Sequence, residues 1–125
     1  MNIFTAQAQF LQATGKVVAG EQEAPEEQII LSRDLVDEEY AEWFAEDFRE
    51  DTTAAVKEAI DLMYVTAQYL NSVIGPNKAT RCLEAVHENN MSKTKNAILR
   101  DDGKVLKGKG YKKVDLSDII FEDMK

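Results

Sequence analysis

One segment constrains the fold of this chain more than any other, because its apolar residues recur at steps of four, three, four, three and four. These residues are Val56, Ile60, Met63, Ala67, Leu70 and Ile74. Such spacing is typical of one face of an α-helix packed in a bundle. A second apolar row on the opposite side consists of Ala54, Leu62, Val65 and Tyr69. A helix that is apolar on two sides is covered on two sides, so the segment predicts a central helix of an all-α bundle.

Start and stop signals divide the rest of the chain into a four- to five-helix bundle. Pro25 suits the first turn of a long helix, Gly15 and Gly75 suit helix ends, and Asp, Thr and Asn side chains suit N-terminal caps. The predicted helices are residues 2–14, Pro25 to about Arg49, Asp51 or Thr52 to Ile74, and Asn77 to about Lys93. We expect this helical core, about residues 2–93, to belong to one domain that spans residues 1–125.

The remaining residues, about 94–125, predict a short irregular or hairpin arm. Asp101-Asp102-Gly103 lies between the apolar pairs 98–99 and 105–106, which favours a hairpin turn. Asp115 or Ser117 is a suitable cap for a short last helix.

The net charge of −8 conceals an uneven distribution. Residues 21–61 hold fifteen acids and three bases, whereas residues 93–113 hold eight bases and two acids. An acidic centre beside a basic arm suits a metal site next to a phosphate site, and it equally suits a solvated helical surface with a basic tail. The acidic remainder disfavours nucleic-acid binding.

Several protein classes are disfavoured by what the chain contains. Cys82 is the only cysteine, so no internal disulfide forms and a reducing compartment is expected. No apolar run approaches membrane-spanning length, and the first residues lack a basic-then-apolar signal pattern. These features predict a cytoplasmic protein with no membrane partner.

Four carboxylates form two pairs, Glu39/Glu42 and Glu58/Asp61. The i,i+3 spacing places both members of a pair on one helical face. If the two helices pack antiparallel, four oxygen-bearing groups converge on one point. Such a cluster is costly without a cation, and a hard divalent ion such as Mg²⁺ is the natural occupant.

The acids lie among apolar neighbours, which strengthens the case for a metal site because burial of unpaired carboxylates is otherwise hard to explain. These neighbours are Leu31, Leu35, Leu62 and Val65. The same apolar surface exceeds what one small bundle covers, so we expect a homodimer or homotetramer with the two long helices at its centre. Glu38 points about 100° away from Glu39 on the helix and is a peripheral ligand, a residue that orients water, or a solvated side chain.

Two further groups suit anion binding. Asn90 and Lys93 share a helical face near the end of the fourth helix, where an amide and an ammonium hold a phosphate or simply complete the helix C-terminus. Lys109 and Tyr111 lie in a run of glycines and lysines that suits either a flap over an anionic substrate or a solvated tail. The chain contains no GxxxxGK[ST] loop and no GxGxxG motif.

Taken as a set, four segments resemble the all-α nucleoside triphosphate pyrophosphohydrolase superfamily, which includes MazG-type enzymes, dimeric dUTPases and phosphoribosyl-ATP pyrophosphohydrolases. EEYAE followed fifteen residues later by EAID is similar to the EExxE…ExxD signature of that superfamily. The segments VHENNMSK and DGKVLKGKGYKKVDL bring the chain closest to a small phosphoribosyl-ATP-pyrophosphohydrolase-like branch. The resemblance covers roughly residues 28–120.

The resemblance implies an α-helical dimer or tetramer that uses Mg²⁺, or Mn²⁺ as a substitute, to cleave a nucleoside triphosphate between its α and β phosphates. The products are a monophosphate and pyrophosphate. By position, the resemblance implies the following roles: metal ligands at Glu39, Glu42, Glu58 and Asp61, a supporting or catalytic carboxylate at Glu38, phosphate contacts at Asn90 and Lys93, and substrate contacts at Lys109 and Tyr111. It assigns no base-recognition residue.

Two other classes compete with this hypothesis. Glu84-x-x-His87 is one Glu-x-x-His motif, of the kind that binds iron in carboxylate-bridged di-iron bundles, and a two-fold axis supplies a second copy. The other alternative is a non-catalytic acidic interaction module, which binds no divalent metal.

Overall fold

The computed structural model describes residues 1–94, 98–106 and 112–124, and α-helices make up most of them. The elements are α1 (Ile3–Ala13), α2 (Glu26–Phe48), α3 (Thr52–Val73), α4 (Gly75–Ser92), β1 (Ile98–Leu99), β2 (Val105–Leu106), α5 (Ser117–Ile120) and a 3₁₀ turn (Glu122–Met124). The predicted all-α class is confirmed. None of the helices in the described residues is both long enough and apolar enough to cross a lipid bilayer.

The chain divides into two compact units, Met1–Ala79 and Thr80–Lys125, with the boundary inside α4. The first unit contains α1, α2 and α3, and the second contains most of α4 and the C-terminal elements. The organisation of residues 1–125 as one domain stays a prediction.

Side-chain caps define the helix starts much as the sequence predicted. The Asp51 carboxylate accepts a hydrogen bond from the backbone N of Ala54 at 3.0 Å, which confirms Asp51 as the cap of α3. Asn2 caps α1 by accepting from the backbone N of Phe4 at 2.8 Å. The predicted cap at Asn77 is wrong, because α4 begins two residues earlier and Asn77 lies in its first turn. Pro76 is tolerated there because the first helical turn needs no internal N–H donor.

Gly75 joins α3 to α4 in a conformation that requires glycine. Its φ is +83°, in the left-handed region that L side chains rarely adopt. A Cβ at this position would also overlap the backbone carbonyl oxygen of Ala19. That carbonyl belongs to a loop held in place by a hydrogen bond from the backbone N of Ala19 to the backbone O of Asn71 at 2.9 Å. The turn therefore allows the loop and α3 to approach closely.

The core of the first unit forms where α1 packs on the C-terminal half of α3. Phe4, Ala67 and Ala79 are buried together, and Leu70 and Ile74 pack against them. We call the row of apolar residues from Val56 to Ile74 the α3 seam. This contact covers its last three positions, Ala67, Leu70 and Ile74. The first three positions are more than half exposed, with Val56 at 56%, Ile60 at 55% and Met63 at 54%.

A buried polar network accompanies this core. The Asn71 side-chain amide donates to the backbone O of Phe4 and to Oε1 of Gln7, both at 2.9 Å. The Gln7 amide in turn donates to Oε1 of Gln68 at 3.3 Å. Asn71 and Gln7 have no exposed surface, so these bonds satisfy groups that water does not reach.

The same network extends from α3 to α2. The Gln68 amide donates to Oγ of Ser32 at 3.0 Å, and the Gln28 amide donates to Oγ of Ser72 at 2.9 Å. Gln28 also bonds both backbone groups of Val17, at 2.7 and 3.0 Å. Three helices and a loop are therefore held in one register by side chains that both donate and accept.

The second unit contains a two-stranded ladder with Ile98 opposite Leu106 and Leu99 opposite Val105. The turn lies at Asp101-Asp102-Gly103, where the sequence predicted it. A bidentate ion pair between Arg81 and Glu122, with both N–O distances at 2.7 Å, joins α4 to the C-terminal 3₁₀ turn. The short last helix is present as α5, and the Asp115 carboxylate accepts a hydrogen bond from the backbone N of Ser117 at 2.9 Å, although the N-cap position itself is Leu116.

Candidate metal centre

Three of the four predicted metal-binding acids come together between α2 and α3. These two helices are joined by only three residues and pack against each other, so they run antiparallel. Glu39 on α2 therefore lies opposite Glu58 and Asp61 on α3. One carboxylate oxygen from each of these residues lies within 4.8 Å of the other two.

Two of these carboxylates are incompletely satisfied. Oε2 of Glu39 and Oε2 of Glu58 are buried and have no hydrogen-bond partner in the part of the chain that the structure describes. A buried carboxylate oxygen without a partner is costly, because it has lost its water and gained nothing in exchange. In an octahedral Mg²⁺ site, adjacent oxygens lie about 3 Å apart and opposite oxygens about 4.2 Å apart. Oxygens that lie within 4.8 Å of one another can reach one such ion through small side-chain rotations. The donor set therefore fits a hard divalent cation.

The electrostatics of Glu39 lead to the same conclusion. Burial, as the largest cause, and the neighbouring acids Glu42, Asp61 and Glu58 together raise the pKa of the Glu39 carboxyl from 4.5 to about 7. Like charges close together disfavour ionisation, and a bound cation reverses this effect. Without a cation, proton binding at Glu39 partly relieves the repulsion.

The other two predicted acids lie at the edge of this group. Glu42 is exposed and shares a side-chain hydrogen bond with Glu39, but it is not among the three converging acids. Glu38 is exposed on the neighbouring position of α2. The roles of Glu42 as a ligand and of Glu38 beside the metal or the water stay predictions.

Lys57 is a member of the site that the sequence analysis missed. Its Nζ lies 2.5 Å from Oδ2 of Asp61 and 3.7 Å from Oε1 of Glu58. The Asp61, Glu58 and Glu39 carboxylates all raise the pKa of the ammonium. The signal was present in the sequence, because Lys57 precedes Asp61 by four residues and i,i+4 residues meet on a helix.

An open pocket of about 230 Å³ lies farther along the same pair of helices. Trp43, one turn after Glu39, and Ala59, next to Glu58, contribute to its wall. The remaining lining residues are Asp47, Glu50, Asp51, Thr52, Ala55 and Val56. The pocket combines an aromatic wall with hydrogen-bond acceptors, and the sequence analysis had no signal for it because its residues come from two helices.

The predicted phosphate contacts lie in the second unit. Asn90 is exposed near the end of α4, and Lys93 is half-buried in the turn that follows, where its backbone N donates to the O of Asn90 at 3.1 Å. Lys109 and Tyr111 lie outside the described residues. The contribution of these four residues to phosphate binding stays a prediction.

The alternative Glu-x-x-His site gains no further ligand within the part of the chain that the structure describes. Glu84 and His87 are exposed on α4, and the triad of Glu39, Glu58 and Asp61 is the only group there of three or more acids, histidines or cysteines close enough to hold an ion. Comparison of the chain with protein-family models finds no match, and comparison with curated proteins finds none either.

Proposed function

We propose that this protein is a metal-dependent nucleotide pyrophosphohydrolase that cleaves a nucleoside triphosphate between the α and β phosphates. One observation carries the proposal: Glu39, Glu58 and Asp61 converge, and two of their buried oxygens have no partner. These acids belong to the EEYAE and EAID segments that resemble the all-α pyrophosphohydrolases. The geometry and the resemblance thus support the same cofactor, Mg²⁺, with Mn²⁺ as a substitute.

The chain's own residues divide the work in this proposal. Glu39, Glu58 and Asp61 hold the cation, and Glu42, one turn after Glu39 on α2, adds negative charge beside them. Glu38 orients the attacking water. The chemistry that Mg²⁺ supplies when bound is polarisation of a phosphoryl oxygen, a lower pKa of water and neutralisation of the leaving pyrophosphate.

The pocket beside the acids suits the nucleoside part of the substrate. Trp43 offers a face for stacking a base, a contact worth about 1–3 kcal/mol per base. Asp47 and Thr52 contribute acceptors that fit amino groups on a base edge. Asn90, Lys93, Lys109 and Tyr111 remain the proposed contacts for the phosphates and the rest of the substrate.

We also propose that the protein works as a homodimer or homotetramer, because two apolar stripes remain uncovered. Tyr40 and Phe44 follow the inward-facing positions 39 and 43 of α2, and Val56 and Ile60 follow the inward-facing positions 55 and 59 of α3. In an antiparallel helix pair, the residue that follows an inward-facing one points to the same side of the pair on both helices. The two apolar stripes therefore form one surface. Together with the largely exposed Phe48 and the half-exposed Met63, these side chains offer roughly 600 Å², close to what each partner of a stable interface buries.

The direct test is a panel of dNTPs and NTPs with Mg²⁺, in which pyrophosphate and phosphate are both quantified. We expect pyrophosphate release and a loss of about 100-fold or more in Glu39→Gln and Asp61→Asn, since each variant removes a ligand charge. Glu46→Gln is the matched control, because Glu46 is an α2 acid outside the triad and paired with Arg49.

Intact catalysis in Glu39→Gln and Asp61→Asn would reject this site. Release of phosphate instead of pyrophosphate would reject α–β cleavage. If no nucleotide is cleaved and neither Mg²⁺ nor Mn²⁺ raises the melting temperature, the non-catalytic interaction module becomes the better description.

A further inference from the structure

Lys57 occupies an unusual position for a surface lysine. Its side chain is 67% exposed, yet its ammonium lies 2.5 Å from one oxygen of Asp61 and 3.7 Å from one oxygen of Glu58. Both acids belong to the triad whose oxygens lie within 4.8 Å of one another. The ammonium therefore lies at the edge of the candidate metal centre and brings a positive charge to two of its three acids.

Ordinary helix stabilisation does not account well for this contact. In an i,i+4 ion pair the favourable order places the acid before the base, which also suits the helix dipole. Lys57 precedes Asp61, so the pair has the less favourable order. The contact is better explained by the combined field of three acids, since Glu39 on the neighbouring helix also acts on the Lys57 ammonium.

We propose that Lys57 is a tethered counter-ion that competes with the divalent cation for the Asp61 carboxylate, an inference that rests on the metal centre of the proposed function. A divalent cation held by the triad and the Lys57 ammonium both bind the Asp61 carboxylate, and the two positive charges repel each other, so binding of either one weakens binding of the other. Lys57 thus stabilises the metal-free site and weakens metal binding. It sets a minimum divalent-ion concentration below which the site stays in its lysine-bound form.

The test measures Mn²⁺ binding to the full chain, with free Mn²⁺ counted by electron paramagnetic resonance. Lys57→Met removes the charge and keeps the length and helix propensity of the side chain. We expect roughly three- to tenfold tighter Mn²⁺ binding than in the wild type. The substitution removes both the exposed ion pair that competes with Mn²⁺ and the repulsion between the ammonium and the dication. Lys57→Arg keeps the charge and should bind Mn²⁺ as weakly as the wild type or more weakly.

Arg49→Met is the matched control. Arg49 is 71% exposed and forms an i,i+3 ion pair of 3.5 Å with Glu46, an acid outside the triad. Removing Arg49 uncovers a carboxylate on α2 in the same way, so we expect no change in Mn²⁺ affinity beyond twofold.

Melting temperatures provide a second, independent measurement. We expect metal-free Lys57→Met to melt below the wild type and the difference to vanish at saturating Mn²⁺, because the cation then replaces the lost counter-charge. A purely structural ion pair would leave the same difference at every Mn²⁺ concentration, and that result would overturn the proposal.

The outcomes also separate this inference from the proposed function. If the wild type binds Mn²⁺ and releases pyrophosphate while Lys57→Met binds Mn²⁺ no more tightly, the Lys57 inference alone is wrong. If no variant binds Mn²⁺, the metal centre is wrong and the inference falls with it. If Lys57→Met binds Mn²⁺ where the wild type does not, Lys57 blocks the site and the inference is supported in its strongest form.

Discussion

The two ends of the α2–α3 pair handle buried polar groups in opposite ways. Near the C-terminus of α3, the amides and hydroxyls of the core bond one another, and Oδ1 of Asn71 is the one buried side-chain atom of this region that lacks a partner among the described residues. Toward the N-terminus of α3, Glu39, Glu58 and Asp61 meet, and two buried carboxylate oxygens lack partners. We call these the amide end and the carboxylate end.

The difference follows from donor and acceptor chemistry. An amide both donates and accepts, so a group of amides satisfies itself, whereas ionised carboxylates only accept and repel one another. Apart from Oδ1 of Asn71, the buried amides and hydroxyls of the amide end thus find their partners among the described residues. Lys57 brings one positive charge to the carboxylate end, and we propose that a divalent cation completes it. The contrast teaches that buried groups able to donate and accept can stabilise a fold among themselves, whereas buried groups that only accept need a positive charge nearby.

We expect the largest loss of stability from a substitution at Gly75, in the turn that follows the amide end of α3. Gly75→Ala should lower the free energy of unfolding by about 3 kcal/mol, because the left-handed φ and the overlap with the Ala19 carbonyl both oppose a Cβ. Gly15→Ala is the control, since Gly15 has a similar φ of +78° and open space around it. It should cost about 1 kcal/mol. Equal losses in urea unfolding would show that the close approach to Ala19 is unimportant.

A second substitution tests whether the buried amides contribute as a network. Asn71→Ala should cost about 2 kcal/mol, because it removes two hydrogen bonds and leaves the buried Oε1 of Gln7 without its donor. Gln9→Ala removes an exposed amide on α1 and should change stability by less than about 0.5 kcal/mol. Urea unfolding measures both. A loss for Asn71→Ala as small as that of Gln9→Ala would contradict a stabilising network.

At the carboxylate end, we expect a substitution to raise the free energy of unfolding of the metal-free protein instead of lowering it. The folded-state pKa of Glu39 is raised from 4.5 to about 7, so its protonated form favours folding below pH 4.5 and that contribution is lost as pH rises toward 7 and above. Metal-free Glu39→Gln should therefore be more stable than the wild type by about 1–2 kcal/mol at pH 8, with the difference shrinking toward pH 5.

The measurement is urea unfolding of both proteins at several pH values in the presence of a chelator. Saturating Mg²⁺ should reverse the order at pH 8, because the wild type gains metal binding and Glu39→Gln does not. A pH-independent difference between the two proteins would show that Glu39 ionisation does not destabilise the metal-free site.

The smallest stability effect that we expect concerns the uncovered half of the α3 seam. Ile60→Gln should change the stability of an isolated protomer by about 0.5 kcal/mol or less, because Ile60 is 55% exposed. Leu70→Gln, at the covered half, should cost at least about 1 kcal/mol because Leu70 packs on the buried core. Light scattering should show that Ile60→Gln shifts the oligomer toward a 14.1 kDa protomer. An unchanged mass would reject this stripe as the interface.

Features that depend on a few neighbouring residues could be predicted from the sequence. The α3 cap at Asp51, the turn at residues 101–103 and the stop at Gly75-Pro76 are set by local dihedral preferences and nearby hydrogen bonds. The pairing of Glu39 with Glu42 and of Glu58 with Asp61 on helical faces is also local. The predicted N-terminal cap of α4 at Asn77 is wrong because a capping residue competes with other possible helix starts, and here the helix begins earlier, at Gly75.

Features that join distant residues could not be predicted in this way. Asn71 bonds Gln7 across 64 positions, and Gln68 bonds Ser32 across 36, so neither contact has a sequence period. Which half of the α3 seam α1 covers is likewise a matter of packing between helices. The same is true of the pocket at Trp43.

The amino-acid order alone specified that this chain is helical, where most helices begin and end, and which acids share a helical face, because a helix is built from interactions over three or four residues. The packing of α2 on α3 brought Glu39 to Glu58 and Asp61, left two of their oxygens unpartnered and set the field that holds Lys57 beside them. Those properties depend on the register between two helices, and register is decided by the whole core rather than by any local run of residues.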